Sequence, residues 1–411
     1  MPNVLSKPSP ILQIPIELVE EIIDASIATA SPWWSLELDV KRTLMQVCSK
    51  WRTYMWSRSK YWTTLVIHIH VAPAYLCFLV HQAIATNRPL DVTIDTGLAD
   101  LASTSGIKDV HPWIPHILMP LGDVSYQFHS LFISTNGQRS LGLILEAVRV
   151  SDAMMLQRIE LVLCRERWLD HPDRLLDIPS PVLTSITLET VVPEWEDYSC
   201  FHRIDMLRIG HFRTSLTWAC LEAVLRACTQ LTTLSIINVC CDTPPMPSHH
   251  VDMRTVENFE LLFADQDNVE VVKNIYMPSL KKVKLTGLGE APWYNLNDSC
   301  PGLLQTPTEL ILSIDEETVG VSSMFHDLPT VELLDVRGCS SSIINAMFNR
   351  KHRGFPPPQF PKLVTIVTGN GVEQDLIGYL ARCAQPDCFA LFEALSADVY
   401  NFRRWTLDKD V

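Results

Sequence analysis

The feature that most constrains this chain is a short apolar signature that keeps returning from Phe128 onward. An apolar residue, two variable residues, a second apolar residue, one variable residue and a third apolar residue follow one another. The signature reads Phe128-x-x-Leu131-x-Ile133, then Leu156-x-x-Ile159-x-Leu161, Leu183-x-x-Ile186-x-Leu188 and Ile204-x-x-Leu207-x-Ile209. Later copies centre on Leu234, Phe259, Val283, Leu310 and Leu334, with a degraded one at Leu363 and Ile366. Centres are 21 residues apart at the closest, Ile186 to Leu207, and 32 at the widest, Leu334 to Ile366. The alternation inside each copy is that of a short strand with one apolar face. Such a strand cannot hide that face alone, so a chain made of many must stack them side by side. Connections this long suit parallel strands, with the chain returning along the opposite side. Helix-like stretches fill the returns, most clearly Leu216 to Leu225 and more weakly Leu143 to Val150, Val269 to Ile275 and Leu376 to Cys383. The expected fold class is α/β.

The period and signature resemble those of leucine-rich repeats, which implies a solenoid, or horseshoe, of parallel strands. Cys164 and Cys339 stand five residues beyond a centre, where such repeats carry Asn or Cys to turn the chain inward. Val191, Phe212, Val239 and Leu288 hold that place in other copies, so the array is irregular. Trp62-x-x-Leu65-x-Ile67 and Val92-x-Ile94 fit the same template and are expected to start the array. Thr96 to Asp123 fits no copy and is expected as a surface loop, with further interruptions at Asp242 to Pro247 and Pro356 to Pro358. Residues on either side of a centre point away from the core. By that rule the open, concave face carries Arg158, Glu160, Arg208, Glu260, Lys282, Lys284, Glu309 and Asp335. Its mixed charge suits a protein partner better than a membrane or a polyanion.

Ahead of the repeats stand Ile14-Pro15-Ile16-Glu17-Leu18-Val19-Glu20-Glu21-Ile22-Ile23 and, further on, Leu44-Met45-Gln46-Val47-Cys48-Ser49-Lys50-Trp51-Arg52. Pro15 sits where a helix begins, and Glu17, Glu20 and Glu21 place negative charge near the positive end of its dipole. Val19, Ile22, Ile23 and Ile27 are expected on one apolar face, and Ala25 to Asp39 as a loop. Leu44, Val47, Cys48, Trp51 and Met55 recur at helical spacing along the second segment, within a unit expected to hold two to three helices. A unit of ~50 residues hides only ~60% of its surface, so these helices need something to lean on.

Closed by Tyr61-Trp62-Thr63-Thr64-Leu65, these residues resemble an F-box. The family pattern is Leu-Pro-x-Glu-Leu-x-x-x-Ile-Phe, a loop, Leu-x-x-Val-Cys-x-x-Trp-Arg and Leu-Trp-x-x-Leu. Ile14, Ile23 and Tyr61 replace its first Leu, its Phe and its last segment's first Leu, each remaining apolar. The resemblance implies docking to a Skp-type adaptor, and through it to a cullin ligase core. The residues it implies for that contact are Ile14, Pro15, Leu18, Ile22, Ile23, Leu44, Val47, Cys48, Trp51 and Trp62. The expected organisation is a disordered N-terminus (1–10), an F-box-like helical domain (11–65), an irregular leucine-rich-repeat solenoid (66–385) and a C-terminal cap (386–411).

Composition narrows the function classes. With 411 residues, 47% hydrophobic and 19% charged, burial is ample. No apolar run reaches membrane-spanning length and the start lacks a secretory pattern, so a cytoplasmic or nuclear location is expected, with no membrane partner. The twelve cysteines are scattered and expected as reduced thiols. A net charge of −14 argues against nucleic acid, and the basic runs at Lys281 to Lys284 and Arg350 to Arg353 lack interleaved aromatics. Cys240-Cys241 and His249-His250 do not have the spacing of a zinc hook. Gly287-x-Gly289 and Gly369-x-Gly371 lack the rest of a phosphate loop, and no nucleophile elbow or metalloprotease helix occurs. No catalysis, cofactor, metal or small-molecule substrate is therefore expected. The expected function is a substrate-recognition subunit of an SCF-type (Skp-cullin-F-box) ubiquitin ligase, holding the adaptor through the N-terminal helices and an unknown protein target through the repeats. The alternative is a leucine-rich-repeat interaction scaffold not coupled to ubiquitination. A hydrolase or transferase would need a pocket with convergent titratable groups.

Overall fold

Each apolar signature becomes one rung of a parallel sheet. The computed structural model describes residues 10–30, 34–68, 87–96, 114–135, 138–164, 180–191, 199–211, 216–239, 241, 250–262, 271–287, 300–314, 328–339, 362, 365–368 and 403–406. They belong to two compact units, residues 1–164 with 178–182, and residues 165–177 with 183–411.

In the first unit, helices α1 (Ile16–Ala30), α2 (Trp34–Val47) and α3 (Ser49–Ser57) precede strands β1 (Thr64–His68), β2 (Leu90–Asp95), β3 (Phe128–Thr135) and β4 (Arg158–Leu163). The strands pair parallel in chain order, with Leu65, Val92, Leu131 and Ile159 in register and all buried. The array thus starts directly behind the N-terminal helices, as the Trp62 and Val92 segments suggested.

The second unit continues the pattern with β5 (Ser185–Glu189), β6 (Met206–Gly210), β7 (Thr233–Ile237), β9 (Asn258–Leu262), β11 (Lys282–Thr286), β12 (Glu309–Ser313), β13 (Leu333–Asp335) and β14 (Thr365–Thr368). Two short strands, β8 (Val251–Asp252) and β10 (Ile275–Tyr276), pair with each other in a separate ribbon. Along the main sheet the signature centres Ile186, Leu207, Leu234, Phe259, Val283, Leu310, Leu334 and Ile366 face one another in register, every one buried. This column of apolar side chains, together with its neighbours two residues on, is the core of the repeats. β15 (Arg403–Thr406) pairs antiparallel with β14. The fold is therefore mixed α/β, with a parallel stack of leucine-rich-repeat character.

The helices on the return side follow their sequence. Thr217 caps the helix Trp218–Ala227, its hydroxyl accepting from the Cys220 N–H at 3.3 Å, and Leu221, Val224 and Leu225 form the buried stripe. Three expectations need correction. The stretch Ala25 to Asp39 is not a loop: α1 continues to Ala30 and α2 begins at Trp34, because Ala25, Ala28 and Ala30 sustain a helix. The helical spacing from Leu44 to Met55 does not run unbroken, since Cys48 is extended (φ −163, ψ 169) and divides α2 from α3. Thr96 to Asp123 is not all loop: Ile114–Gly122 is a helix with Pro115 in its first turn, where no N–H is needed, and it buries Leu118 and Leu121. The segments at 242–247, 356–358 and 376–383 lie outside the described residues.

One backbone device recurs just past the strands. Thr190, His211, Asn238 and Gly287 have φ of 63, 63, 50 and 69. Their N–H groups donate to Gly210 O, Ile237 O, Leu262 O and Ser313 O at 2.8, 2.7, 3.0 and 2.8 Å. The chain leaves the sheet through a left-handed residue while the hydrogen-bond ladder runs one step further. Only glycine adopts that conformation freely, and a β-branched residue there costs ~1–2 kcal/mol. Thr190→Gly is expected to raise unfolding stability by ~0.5–1 kcal/mol, after the larger entropy of the unfolded glycine chain is set against the relieved strain. Urea unfolding followed by circular dichroism measures this, and a lowered midpoint would contradict it.

Candidate functional site

The three N-terminal helices present one surface of the first unit. Successive residues of a helix turn by about 100°, so α1 presents three flanks. Val19 and Ile23 make the inner one and are fully buried. Glu20 and Asp24 make the second. Lys60 Nζ lies 2.8 Å from both carboxylates, and the Tyr61 hydroxyl donates to Asp24 at 2.9 Å. Asp24, then Glu20, hold the Lys60 ammonium above its ordinary pKa, while burial and then Asp24 push the Tyr61 phenol upward. Lys50 Nζ also donates to Ile14 O at 2.8 Å, so the start of α1 is tied to α3.

The third flank of α1 is apolar and open. Leu18 and Ile22, one turn apart, are 48% and 41% exposed, and Ile16, Val47 and Trp56 of the same helical group are 37%, 38% and 46% exposed. Ile22 was expected beside Val19 and Ile23; the helical turn instead carries it to the outer flank. Next to Ile16 lies a shallow cleft of about 440 Å³ lined by Ser49, Lys50, Thr53, Tyr54 and Ser57. It holds no convergent acid and base.

The ten residues that the F-box resemblance implies for adaptor contact therefore divide. Leu18, Ile22 and Val47 are exposed apolar side chains, Pro15 is exposed, and Ile14 and Cys48 are half-buried. Ile23, Leu44, Trp51 and Trp62 are sealed inside, the Trp62 indole N–H donating to Met55 O at 2.9 Å. Sequence reasoning missed Ile16 and Trp56, and also the Glu20, Asp24 and Lys60 clamp. The clamp's residues lie 36 and 40 apart, a separation that no local pattern joins.

The second surface is the open face of the sheet. In the first unit Arg158 of β4 lies 3.8 Å from Asp91, whose carboxylate also accepts from the Ser130 hydroxyl and sits 3.2 Å from His129 Nδ1. Glu160 is half-buried on the same strand. In the second unit each expected cation meets an acid. Arg208 pairs with Glu189 at 3.3 Å, Lys284 with Glu260 at 2.6 Å and Lys282 with Glu309 at 3.2 Å. Asp335 departs from the expected open position: it is buried, its carboxylate accepting from the Arg337 backbone N–H at 3.1 Å and from the guanidinium at 2.6 Å. The basic run is likewise occupied, Lys281 pairing with Glu257 at 2.7 Å. Arg350 to Arg353 lie outside the described residues.

Glu260 is the best connected of these acids. Burial pushes its carboxyl up, but the Lys284 hydrogen bond and charge, the Ser235 hydroxyl at 3.1 Å and the Arg208 charge outweigh it, leaving the pKa below the ordinary value. Among the described residues no group of three or more His, Cys, Asp or Glu could hold a metal ion, and no helix is long and apolar enough to cross a membrane.

No protein-family model matches the chain, and no curated protein matches it either. A solved structure that does match is the leucine-rich repeat-containing protein LegL7 from Legionella pneumophila, 12% identical, covering 78% of this chain and 98% of its own, with a TM-score of 0.33.

Because the Glu260 pKa is depressed on folding, its contribution is complete above the ordinary carboxylate value of 4.5 and is lost as pH falls through the lower folded value. Glu260→Gln is expected to cost up to ~1 kcal/mol at neutral pH, as for a partly exposed pair. Chemical denaturation from pH 7 to 3 should show that difference constant at first and then vanishing in acid. A difference that grew in acid would contradict the pairing.

Proposed function

We propose that this protein is a substrate-receptor subunit of an SCF-type ubiquitin ligase, with α1 to α3 engaging a Skp-type adaptor and the repeats presenting a protein target. The observation that carries this reading is the open apolar flank of the helical group. Leu18, Ile22 and Val47 stay in water while Val19, Ile23, Leu44 and Trp51 on the same helices are buried. Helices serving only to close the end of a repeat core would need just the second set. Exposed aliphatic side chains gathered on a small helical group are what a partner's groove would cover. The receptor makes no bond itself. It raises the effective concentration of target lysines near the conjugating enzyme. The ion pairs across the sheet face leave that surface charge-balanced, which suits a protein target rather than a polyanion.

A second reading has its own support. Ile23, Leu44, Trp51 and Trp62 are interior residues, as they would be in a helical cap on a repeat scaffold without a ligase. Co-expression with a Skp-type adaptor separates the two. The ligase reading expects a stoichiometric complex, and expects Leu18→Asp, Ile22→Asp and Val47→Asp together to lower adaptor recovery at least ~tenfold, as loss of a central anchor does. The far-ultraviolet spectrum should be unchanged, because all three positions are exposed. Trp51→Ala is no substitute, since emptying that buried site costs ~3–5 kcal/mol and tests folding. A folded wild-type chain that recovers no adaptor would favour the scaffold.

A further inference from the structure

Two cysteines of the second unit sit on neighbouring turns of the stack and take no part in the surfaces described above. Cys200 lies in the short turn Ser199–Arg203 ahead of β6 and is half-buried. Cys228 follows Ala227 at the end of the helix ahead of β7 and is buried. Both carry free thiols.

The register of the stack fixes how far apart they are. Leu207 of β6 faces Leu234 of β7. The same offset of 27 residues holds ahead of the strands, where the Thr229 hydroxyl donates to His202 O at 3.2 Å and the Thr232 N–H to Asp205 O at 2.9 Å. Carried back one residue from Thr229 and His202, it sets Cys228 level with Phe201, the chain neighbour of Cys200. Rungs lie ~4.8 Å apart and successive Cα atoms ~3.8 Å, so one residue off register spans ~6 Å. A disulfide joins Cα atoms ~4.4–6.8 Å apart. The thiols also sense each other, since burial and then the charge of Cys200 push the Cys228 pKa upward. Cys228 therefore keeps its proton in the resting protein, and Cys200 is the thiol that solvent reaches.

We infer that Cys200 and Cys228 form a redox-sensitive lock between the rungs of β6 and β7, closed by a hydroperoxide and reopened by a dithiol. In the first step the Cys200 sulfur attacks the hydroperoxide. The O–O bond breaks, Cys200 becomes a sulfenic acid, and water or an alcohol leaves. In the second step the Cys228 sulfur attacks Cys200 Sγ, the S–O bond breaks, and the departing hydroxide takes the Cys228 proton as water. Two thiols are oxidised and one hydroperoxide is reduced. The second step is the slower one, because the thiolate is the nucleophile and Cys228 gives up its proton reluctantly. The loop so closed contains all of β6, with Met206 and Arg208 on the open face, and oxidation holds that part of the face against β7. This inference does not depend on the ligase reading.

The test treats the full chain with hydrogen peroxide, blocks the remaining thiols and maps the products by mass spectrometry. A bond joining Cys200 to Cys228 is expected, with a Tm ~5 °C above that of the reduced chain, and dithiothreitol should reverse both. Cys200→Ser should abolish the bond and the shift while unfolding as the reduced wild type does. Cys228→Ala should stop Cys200 at the sulfenic acid, which dimedone traps; should that buried replacement unfold the chain, Cys200→Ser alone decides. The lock is overturned if peroxide leaves both thiols intact, if it carries Cys200 to the sulfinic acid with no bond, or if Cys200 joins Cys240 or Cys241 instead. It is also overturned if the bond links two copies in sedimentation, if the shift persists in Cys200→Ser, or if the bond forms and lowers the Tm, since the rungs would then have to distort to close it.

Discussion

A short strand with one apolar face is unstable in water until another strand covers it on each side. Everything in the repeats follows from that need. Leu207 or Leu234 alone would gain little; in register with its neighbours each loses its whole surface to the core. Full burial of one such side chain is worth ~1.5–3 kcal/mol, and the column repeats it at every rung. The same stacking aligns the side chains that point the other way. Ion pairs such as Lys284 with Glu260 and Lys282 with Glu309 therefore form between neighbouring rungs, not along one strand.

The N-terminal helices obey the same requirement through a different geometry. Trp62, between α3 and β1, is buried and bonded to Met55 O, so the helical group passes into the first rung without a separate core. The inner flank of α1 is occupied by packing and the second by the Lys60 clamp. That leaves Leu18 and Ile22 facing outward on a helix that cannot easily rotate to hide them. A fixed, exposed apolar flank has a standing cost in water, which is why a partner is the natural reading of it.

Much of the repeat architecture was legible in the sequence because repetition multiplies a weak signal. One Leu-x-x-Leu-x-Leu could be anything; copies at Leu131, Ile159, Ile186 and Leu207 give the strands, their order and their inner faces. The outward residues were legible by the same alternation, which found Arg208, Glu260 and Lys284 but not what each would touch. Asp335 escaped because a local bond to Arg337, two residues on, folds it back. The left-handed turns were hidden because Thr190 and His211 carry no glycine signature, and the break at Cys48 because a stripe of apolar residues reads the same through a kink. At the helices, spacing pointed to both Ile22 and Ile23, and only the packing of Val19 decided which faces inward.

A partner that takes the outer flank of α1 must shield its backbone from solvent. Hydrogen–deuterium exchange on the full chain, with and without a purified Skp-type adaptor, reads this at peptide level. Slower exchange is expected in peptides covering residues 16–23 and 45–56, with the strands from Ser185 to Asp335 unchanged. No protection at α1 under saturating adaptor, or protection only along the strands, would contradict it.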